Sequence, residues 1–356
     1  MSLERFARRL PAIPWDAYVS LGEGSTPLVK SAWIGPRLGL ERLYFKMEMC
    51  NPSGSYKDRF IACELAIHRS LGRRVCLATS SGNTGSSLAA YAARLGMKCV
   101  IMVLESTPDG KLMQMAAHGA SIYRVRRFGA GAQATRDVME RLQALAATRS
   151  AALVISAFKF CPDGMCGVKT ISYEIHEALG DEVAHVFAPV GGGGLMSATA
   201  MGFLDLHAEG ARLPRVHAVQ PALNDTVVSP LREGAQAARP VSTRTAISGL
   251  GVQTDIDGTR AMELVRATGG TGVLASDEEI LETQRELLER EGIFVEPAGA
   301  ASVAGLKRAV EEGVVTPGET AVCLLTGHGF KDLSPFTDAV KRISTISPEE
   351  ITAALV

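Results

Sequence analysis

The chain has 356 residues, enough for a sizeable core and, at roughly 150 residues per domain, for two domains. Lys and Arg number 37 against 38 Asp and Glu, so the net charge is −1 and no basic run offers itself to nucleic acid or an anionic membrane. At 46% hydrophobic and 21% charged residues the composition is globular, and neither an 18-residue apolar run nor an apolar N-terminal segment suggests a membrane span or a secretory signal.

Past the first forty residues, short apolar runs alternate with helical patterns. Residues 43–48 read as a strand, and Tyr56 to Leu71 as a helix ending before Gly72. A strand over 74–78, an Ala-rich helix from Thr84 to Leu95 stopped by Gly96, and a strand over 100–104 follow. Next come a helix from Lys111 to His118, a strand over 121–125, a helix from Ala132 to Ala147 and a strand over 153–155. A helix over 170–179, a strand over 183–189, a helix over 195–206 and strands over 216–219 and 321–325 complete the series. The polar stretch 233–245 reads as a mobile loop or surface insertion. Apolar strands joined by helices predict an α/β fold whose parallel sheets are covered on both faces. The odd number of cysteines, seven, several in apolar runs, predicts reduced thiols in a cytoplasmic protein. Cys161 and Cys166 lack a neighbouring His pair, so no metal site is expected.

Ligands in such sheets bind beyond the carboxyl ends of the strands, so the loops there are where chemistry is expected. Residues 51–59 (Asn-Pro-Ser-Gly-Ser-Tyr-Lys-Asp-Arg) turn into a helix with Lys57 at its start. A lysine is an odd choice at the positive end of a helix dipole, and an amine there suits condensation with an aldehyde. Residues 79–87 place small hydroxyl side chains at a strand-to-helix junction, either as plain caps or as an anion site to which Ser80 and Ser81 add donors. Gly191 to Gly194 follow a strand and precede a helix, where their amides suit a phosphate. Neither the Gly-Lys-Ser/Thr of a nucleotide loop nor a dinucleotide fingerprint accompanies them. Residues 325–332 (Leu-Thr-Gly-His-Gly-Phe-Lys-Asp) put the Thr326 hydroxyl between glycine-rich turns at the end of a buried strand, and His328 reads as a satisfied loop histidine. A lysine, an anion loop, a phosphate loop and a hydroxyl for a ring nitrogen together match the needs of pyridoxal 5'-phosphate.

These motifs, with Glu296-Pro297-Ala298-Gly299-Ala300, stand in the order and spacing of the tryptophan synthase β family of pyridoxal phosphate enzymes, also called fold type II. The chain resembles that family over residues 20–335, and segments 21–28, 51–59 and 325–332 most resemble the threonine synthases. The resemblance implies two parallel-sheet α/β domains with the cofactor in the cleft between them. Residues 1–50 and 160–356 would form the larger, phosphate-holding domain, and residues 51–159 the smaller one with the lysine and the substrate-carboxylate loop. It implies Lys57 as the Schiff-base lysine and general acid/base, Asn83 at the phenolic oxygen of the cofactor and Thr326 at its ring nitrogen. Gly191, Gly192, Gly193 and Gly194 would hold its phosphate, and Ser80, Ser81 and Thr84 the carboxylate of a small amino-acid substrate. A neutral hydroxyl at the ring nitrogen makes a weaker electron sink than a carboxylate, which suits elimination better than transamination. The implied activity is that of a lyase of threonine synthase type, acting at the β or γ carbon and converting phosphohomoserine to threonine plus phosphate. A homodimer is implied too, and the short stretch after Asp332 is expected to hold no fused effector domain.

Three departures leave alternatives open. The Asn-Pro-x-Arg-like run that takes the substrate phosphate in threonine synthases is absent from residues 156–170, which leaves Lys159 or Lys169 to supply that charge. Tyr56 stands where Phe is usual, and the glycine loop looks more like that of the serine/threonine dehydratases. The alternatives are an ammonia-lyase (dehydratase) acting on a β-hydroxy amino acid and a β-replacement synthase making a non-standard amino acid. A non-catalytic cofactor carrier is disfavoured by the intact lysine and loops, and a nucleotide-binding dehydrogenase by the missing fingerprint.

Overall fold

The computed structural model describes residues 3–129, 132–148, 151–337, 341 and 343–348. Its strands are, in chain order, β1 Leu28–Lys30, β2 Leu43–Lys46, β3 Val75–Ala78, β4 Lys98–Leu104, β5 Ser121–Val125, β6 Ala152–Leu153, β7 Val183–Pro189, β8 Arg215–Pro221, β9 Gly272–Ala275 and β10 Thr320–Leu324. They form a six-stranded sheet in the order β1-β2-β10-β7-β8-β9 and a four-stranded sheet in the order β5-β4-β3-β6. Every pairing is parallel except β1 with β2. Between those two strands the only helix is the single turn Ile34–Arg37, too little for the helical crossover that parallel pairing needs.

The chain crosses between the sheets twice. It leaves the larger sheet after β2, builds β3 to β6 with the helices Lys57–Ser70, Asn83–Leu95, Met113–Ala117 and Ala132–Thr148, and returns through Thr170–Leu179 to β7. The smaller sheet is thus an insertion between two strands of the larger. One apolar core runs from the N-terminal Leu3 and Phe6 through Phe60, Leu65, Ile101 and Met115 to Val186 and Phe203, so it spans both sheets. A second core, with Phe45, Phe187, Val273, Leu287, Val303 and Leu325, covers the other face of the larger sheet. The helix Gly194–Ala208 is buried along most of its length, as its Ala, Met, Leu and Phe content requires.

Sequence patterning misses β1, β9 and the helices Gly258–Ala267, Asp277–Glu291 and Pro297–Glu311. The expected helix over 111–118 is a 3-10 turn, Asp109–Lys111, followed by the short Met113–Ala117. Residues 233–245 form neither helix nor strand beyond the first turn, but they are tied down: Arg239 N donates to Thr226 O at 2.9 Å and Val241 N to Gln253 O at 3.0 Å. Among the described residues, no helix is long and apolar enough to cross a membrane.

A buried ion cluster joins the crossing points. Arg59, fully buried in the helix Lys57–Ser70, donates to Glu48 at 2.7 and 2.8 Å and to Glu174 twice at 2.7 Å. Lys46 at the end of β2 donates to Glu174 at 2.7 Å. Two cations and two carboxylates therefore balance inside the protein. Burial pushes the Glu174 carboxyl up, but Arg59 and Lys46 outweigh it and hold the group well below the usual carboxylate range.

Candidate active site

The ten residues given cofactor or substrate-carboxylate roles by the resemblance line one cavity of about 580 Å³: Lys57, Ser80, Ser81, Asn83, Thr84, Gly191, Gly192, Gly193, Gly194 and Thr326. That volume lies within the range of small-molecule sites, roughly 300–1,000 Å³. Local backbone bonds explain the convergence. Tyr56 N donates to Thr326 O at 3.0 Å, and isolated bridges pair Ser55 with Gly327 and Val295 with His328. The loops around Lys57, Glu296 and Thr326 are thereby laid side by side at the end of β10.

The turn before Lys57 is locked from within. Gly54 adopts φ +89°, and Gly54 N donates to Asn51 O at 2.8 Å. The carboxylate of Asp58 accepts from Ser53 N and Ser53 Oγ, each at 2.6 Å, and from Ser87 Oγ. Asp58 thus fastens the turn, the lysine helix and the helix bearing Asn83 to one another. Burial raises its carboxyl above the usual range against those three donors. Lys57 is half-buried, and its Nζ donates to Tyr56 Oη and to Ser156 Oγ, both at 2.6 Å.

Across the cavity, Gly191 to Gly194 connect β7 to the helix Gly194–Ala208. Gly193 has φ +103°, and a Cβ there would lie 2.5 Å from Asp257 O; a Cβ on Gly194 would lie 2.8 Å from Met165 Cε. The first amides of a helix lack intrahelical acceptors, so this terminus is suited to an anion. Asp257 supports the loop: its N–H donates to Gly192 O at 2.8 Å, and its carboxylate accepts from Phe158 N at 2.7 Å and Lys159 N at 3.0 Å.

Asn83 and Thr326 share a carboxylate that sequence reasoning assigned no role. Asn83 Nδ2 donates to both oxygens of Glu296, and Thr326 Oγ1 donates to one of them at 3.2 Å. Glu296 is buried, and burial raises its carboxyl above the usual range despite Asn83, Lys331 and Thr326. The hydroxyl of Thr326 is therefore backed by an acid rather than standing alone. His328 is a loop histidine, as expected: Nδ1 accepts from Phe330 N at 3.3 Å and the two rings stack.

Two expectations fail. Lys159 is exposed at the surface and Lys169 is buried against Asp205, and neither lines the cavity. The cations that do line it are Lys57, Lys111 and Lys331. Lys111 Nζ donates to Ser248 Oγ at 2.5 Å, and Lys331 Nζ donates to Gln114 Oε1. Among the described residues, no arginine lines the cavity. Sequence reasoning also missed Ser156, whose only signal was its place just after a strand, and Glu296, whose only signal was its place in the Glu-Pro-Ala-Gly-Ala motif.

The set fits pyridoxal phosphate. It offers a half-buried amine, a glycine cradle too tight for any Cβ at Gly193, and a hydroxyl and an amide in one cavity of adequate size. Comparison with known proteins agrees. A family model described as "Pyridoxal-phosphate dependent enzyme" matches residues 19–327. The chain is 36% identical over 353 residues to the threonine synthase of Mycobacterium leprae, covering 98% of this chain and 92% of that one. It is 35% identical over 334 residues to the threonine synthase of Methanocaldococcus jannaschii, covering 92% and 80%. Among solved structures, it matches the processed threonine deaminase isoform 2 of Solanum lycopersicum with a TM-score of 0.72 at 21% identity, covering 95% and 92%. Serine racemase from Dictyostelium discoideum matches with a TM-score of 0.72 at 22% identity, covering 92% and 96%. These structures share the fold, two α/β domains built on parallel sheets. The chain belongs to the family of pyridoxal-phosphate dependent enzymes.

Proposed function

We propose that the protein is a threonine synthase-type enzyme, a lyase that eliminates and replaces a group at the β or γ carbon of a small amino acid. The observation that carries this reading is the likeness to threonine synthases over 92–98% of this chain and 80–92% of theirs. Bound pyridoxal phosphate supplies an electron sink for bonds at the α carbon of an amino acid. Lys57 Nζ would hold the cofactor's aldehyde and, once free, would take and return protons on the substrate carbons. The amides of Gly191 to Gly194 would hold the cofactor's phosphate, Asn83 its phenolic oxygen, and Thr326, backed by Glu296, its ring nitrogen. Ser80, Ser81 and Thr84, at the start of the helix Asn83–Leu95, bind the substrate carboxylate.

The division into residues 1–50 with 160–356 and residues 51–159 belongs to the same proposal, supported by the insertion of the smaller sheet between β2 and β7. A homodimer and a cytoplasmic location complete it; the seven free cysteines suit a reducing compartment.

A second reading is an ammonia-lyase acting on a β-hydroxy amino acid, favoured by one observation: among the described residues, no arginine lines the cavity. A phosphate leaving group would be met by Lys111 and Lys331, point charges without the two-pronged geometry of arginine. The test is to give purified holoenzyme phosphohomoserine, threonine, serine and phenylserine in turn. Phosphate release with threonine formation supports the first reading. Keto acid from a hydroxy amino acid, with phosphohomoserine inert, overturns it in favour of the second. A Lys57→Ala protein that still carries cofactor in a borohydride-reducible link would remove Lys57 from its assigned role.

A further inference from the structure

We propose that the hydroxyls of Tyr56 and Ser156 form a resting cradle for the amine of Lys57, holding it in position while it is detached from the cofactor. The proposal rests on the assignment of Lys57 made above.

The amine sits at 2.6 Å from each hydroxyl oxygen and 4.4 Å from the centre of the Tyr56 ring. All three residues line the cavity. The two hydroxyls come from different passes of the chain. Tyr56 lies on the first crossing between the sheets, pinned through its N–H to Thr326 O. Ser156 lies on the second, 99 residues from Lys57, with its Oγ 3.7 Å from the sulfur of buried Met165.

A lysine stem has many rotamers, and an amine released from a covalent bond wanders unless something holds it. A catalytic base displaced by about 1 Å loses on the order of 10²-fold in rate. Both partners are uncharged, so they fix the amine by direction without an ion pair that must break before the bond re-forms. Both side chains therefore act as positioning residues for Lys57.

The test uses the holoenzymes of Tyr56→Phe, Ser156→Ala, Ser156→Thr and the Phe/Ala double variant. Each hydroxyl deletion lowers kcat about tenfold and leaves KM within about twofold, while Ser156→Thr retains most of kcat. The double variant loses less than the product of the single losses, because both hydroxyls act on one amine. A second readout needs no amino acid: cofactor is returned to each apoenzyme and the visible band is followed. The band grows several-fold more slowly in Tyr56→Phe and Ser156→Ala, and reaches the wild-type amplitude. Single variants with both kcat and capture rate within twofold of wild type overturn the cradle, and Ser156→Ala decides the matter alone if Tyr56→Phe does not fold. A reducible cofactor link that persists in Lys57→Ala overturns the lysine assignment instead, so the two failures are told apart.

Discussion

Asn83 and Glu296, 213 residues apart, meet through one amide nitrogen: Nδ2 of Asn83 is 2.9 Å from one carboxylate oxygen of Glu296 and 3.0 Å from the other. The smaller sheet's first loop is thus clasped to the helix Pro297–Glu311 of the larger sheet, with Thr326 on the same carboxylate. A buried group with several partners is expensive to delete. Glu296→Ala should cost about 1–3 kcal/mol in urea unfolding and weaken cofactor binding in a spectral titration. Glu296→Gln, which retains an acceptor, should cost less on both measures.

Gly193 cannot carry a side chain without strain. Its φ of +103° and the 2.5 Å between a built Cβ and Asp257 O combine conformational strain with a clash against backbone. Gly193→Ala should raise the dissociation constant of pyridoxal phosphate at least about tenfold, roughly the effect of 1.4 kcal/mol. Titrating apoenzyme while following visible absorbance measures it; unchanged affinity would mean that the loop does not grip the phosphate.

Arg59 lies one turn or less beyond Lys57 and balances Glu48 and Glu174 without any contact with water. Arg59→Ala leaves Glu48 without its cation and Glu174 still paired with Lys46, and should cost about 3–5 kcal/mol. Arg59→Lys should recover only part of that, because one ammonium cannot reproduce the paired contacts to both acids. Denaturant midpoints compared across the variants give the answer.

Stability should depend on acid through His217. Burial lowers its folded-state pKa to about 3, with the neighbouring His185 adding to the effect. Nδ1 of His185 lies 2.9 Å from Nε2 of His217, and Thr271 N donates to Nδ1 of His217 at 3.1 Å. An unfolded-chain histidine titrates near 6.5, so the contribution is intact above that pH. Between about 6.5 and 3 the unfolded chain binds a proton that the folded protein refuses, and stability falls by up to about 1.4 kcal/mol per pH unit. His217→Asn should flatten that slope whatever it does to stability at neutral pH, which unfolding curves at a series of pH values will reveal.

The loops that line the cavity were legible because glycines, hydroxyls and a lysine at strand ends carry local signals: Lys57, Ser80, Asn83, Gly193 and Thr326 all stand next to a turn or a helix start. The strand β7 matched its expected bounds because its nearly continuous apolar run leaves little choice, and β5 because Ile122, Tyr123 and Val125 are residues that favour strands. The helices Gly258–Ala267 and Asp277–Glu291 carry ordinary amphipathic patterns, the second with a Ser276–Glu279 capping box, so they were legible and were overlooked, whereas β9 is only four residues beside glycines. Pairings such as Lys57 with Ser156, Asn83 with Glu296 and Lys111 with Ser248 arise from tertiary folding and have no local signature. The same reason explains the failure of Lys159 and Lys169. Charge type suggested them, but proximity to the cavity is decided by which side of the return segment each one occupies.

The double crossing of the chain between its sheets has a mechanical corollary. If the smaller sheet rocks against the larger one, the two connecting passes are the pivots, and points near a pivot travel least. Lys57, Tyr56 and Ser156 sit at those passes, whereas Ser80 and Ser81 ride on the loop after β3, within the moving body. Any such closing would have to release the clasp of Asn83 on Glu296 before Ser80 and Ser81 could travel, and would leave the reacting amine almost where it was, as a jaw closes on a fixed anvil.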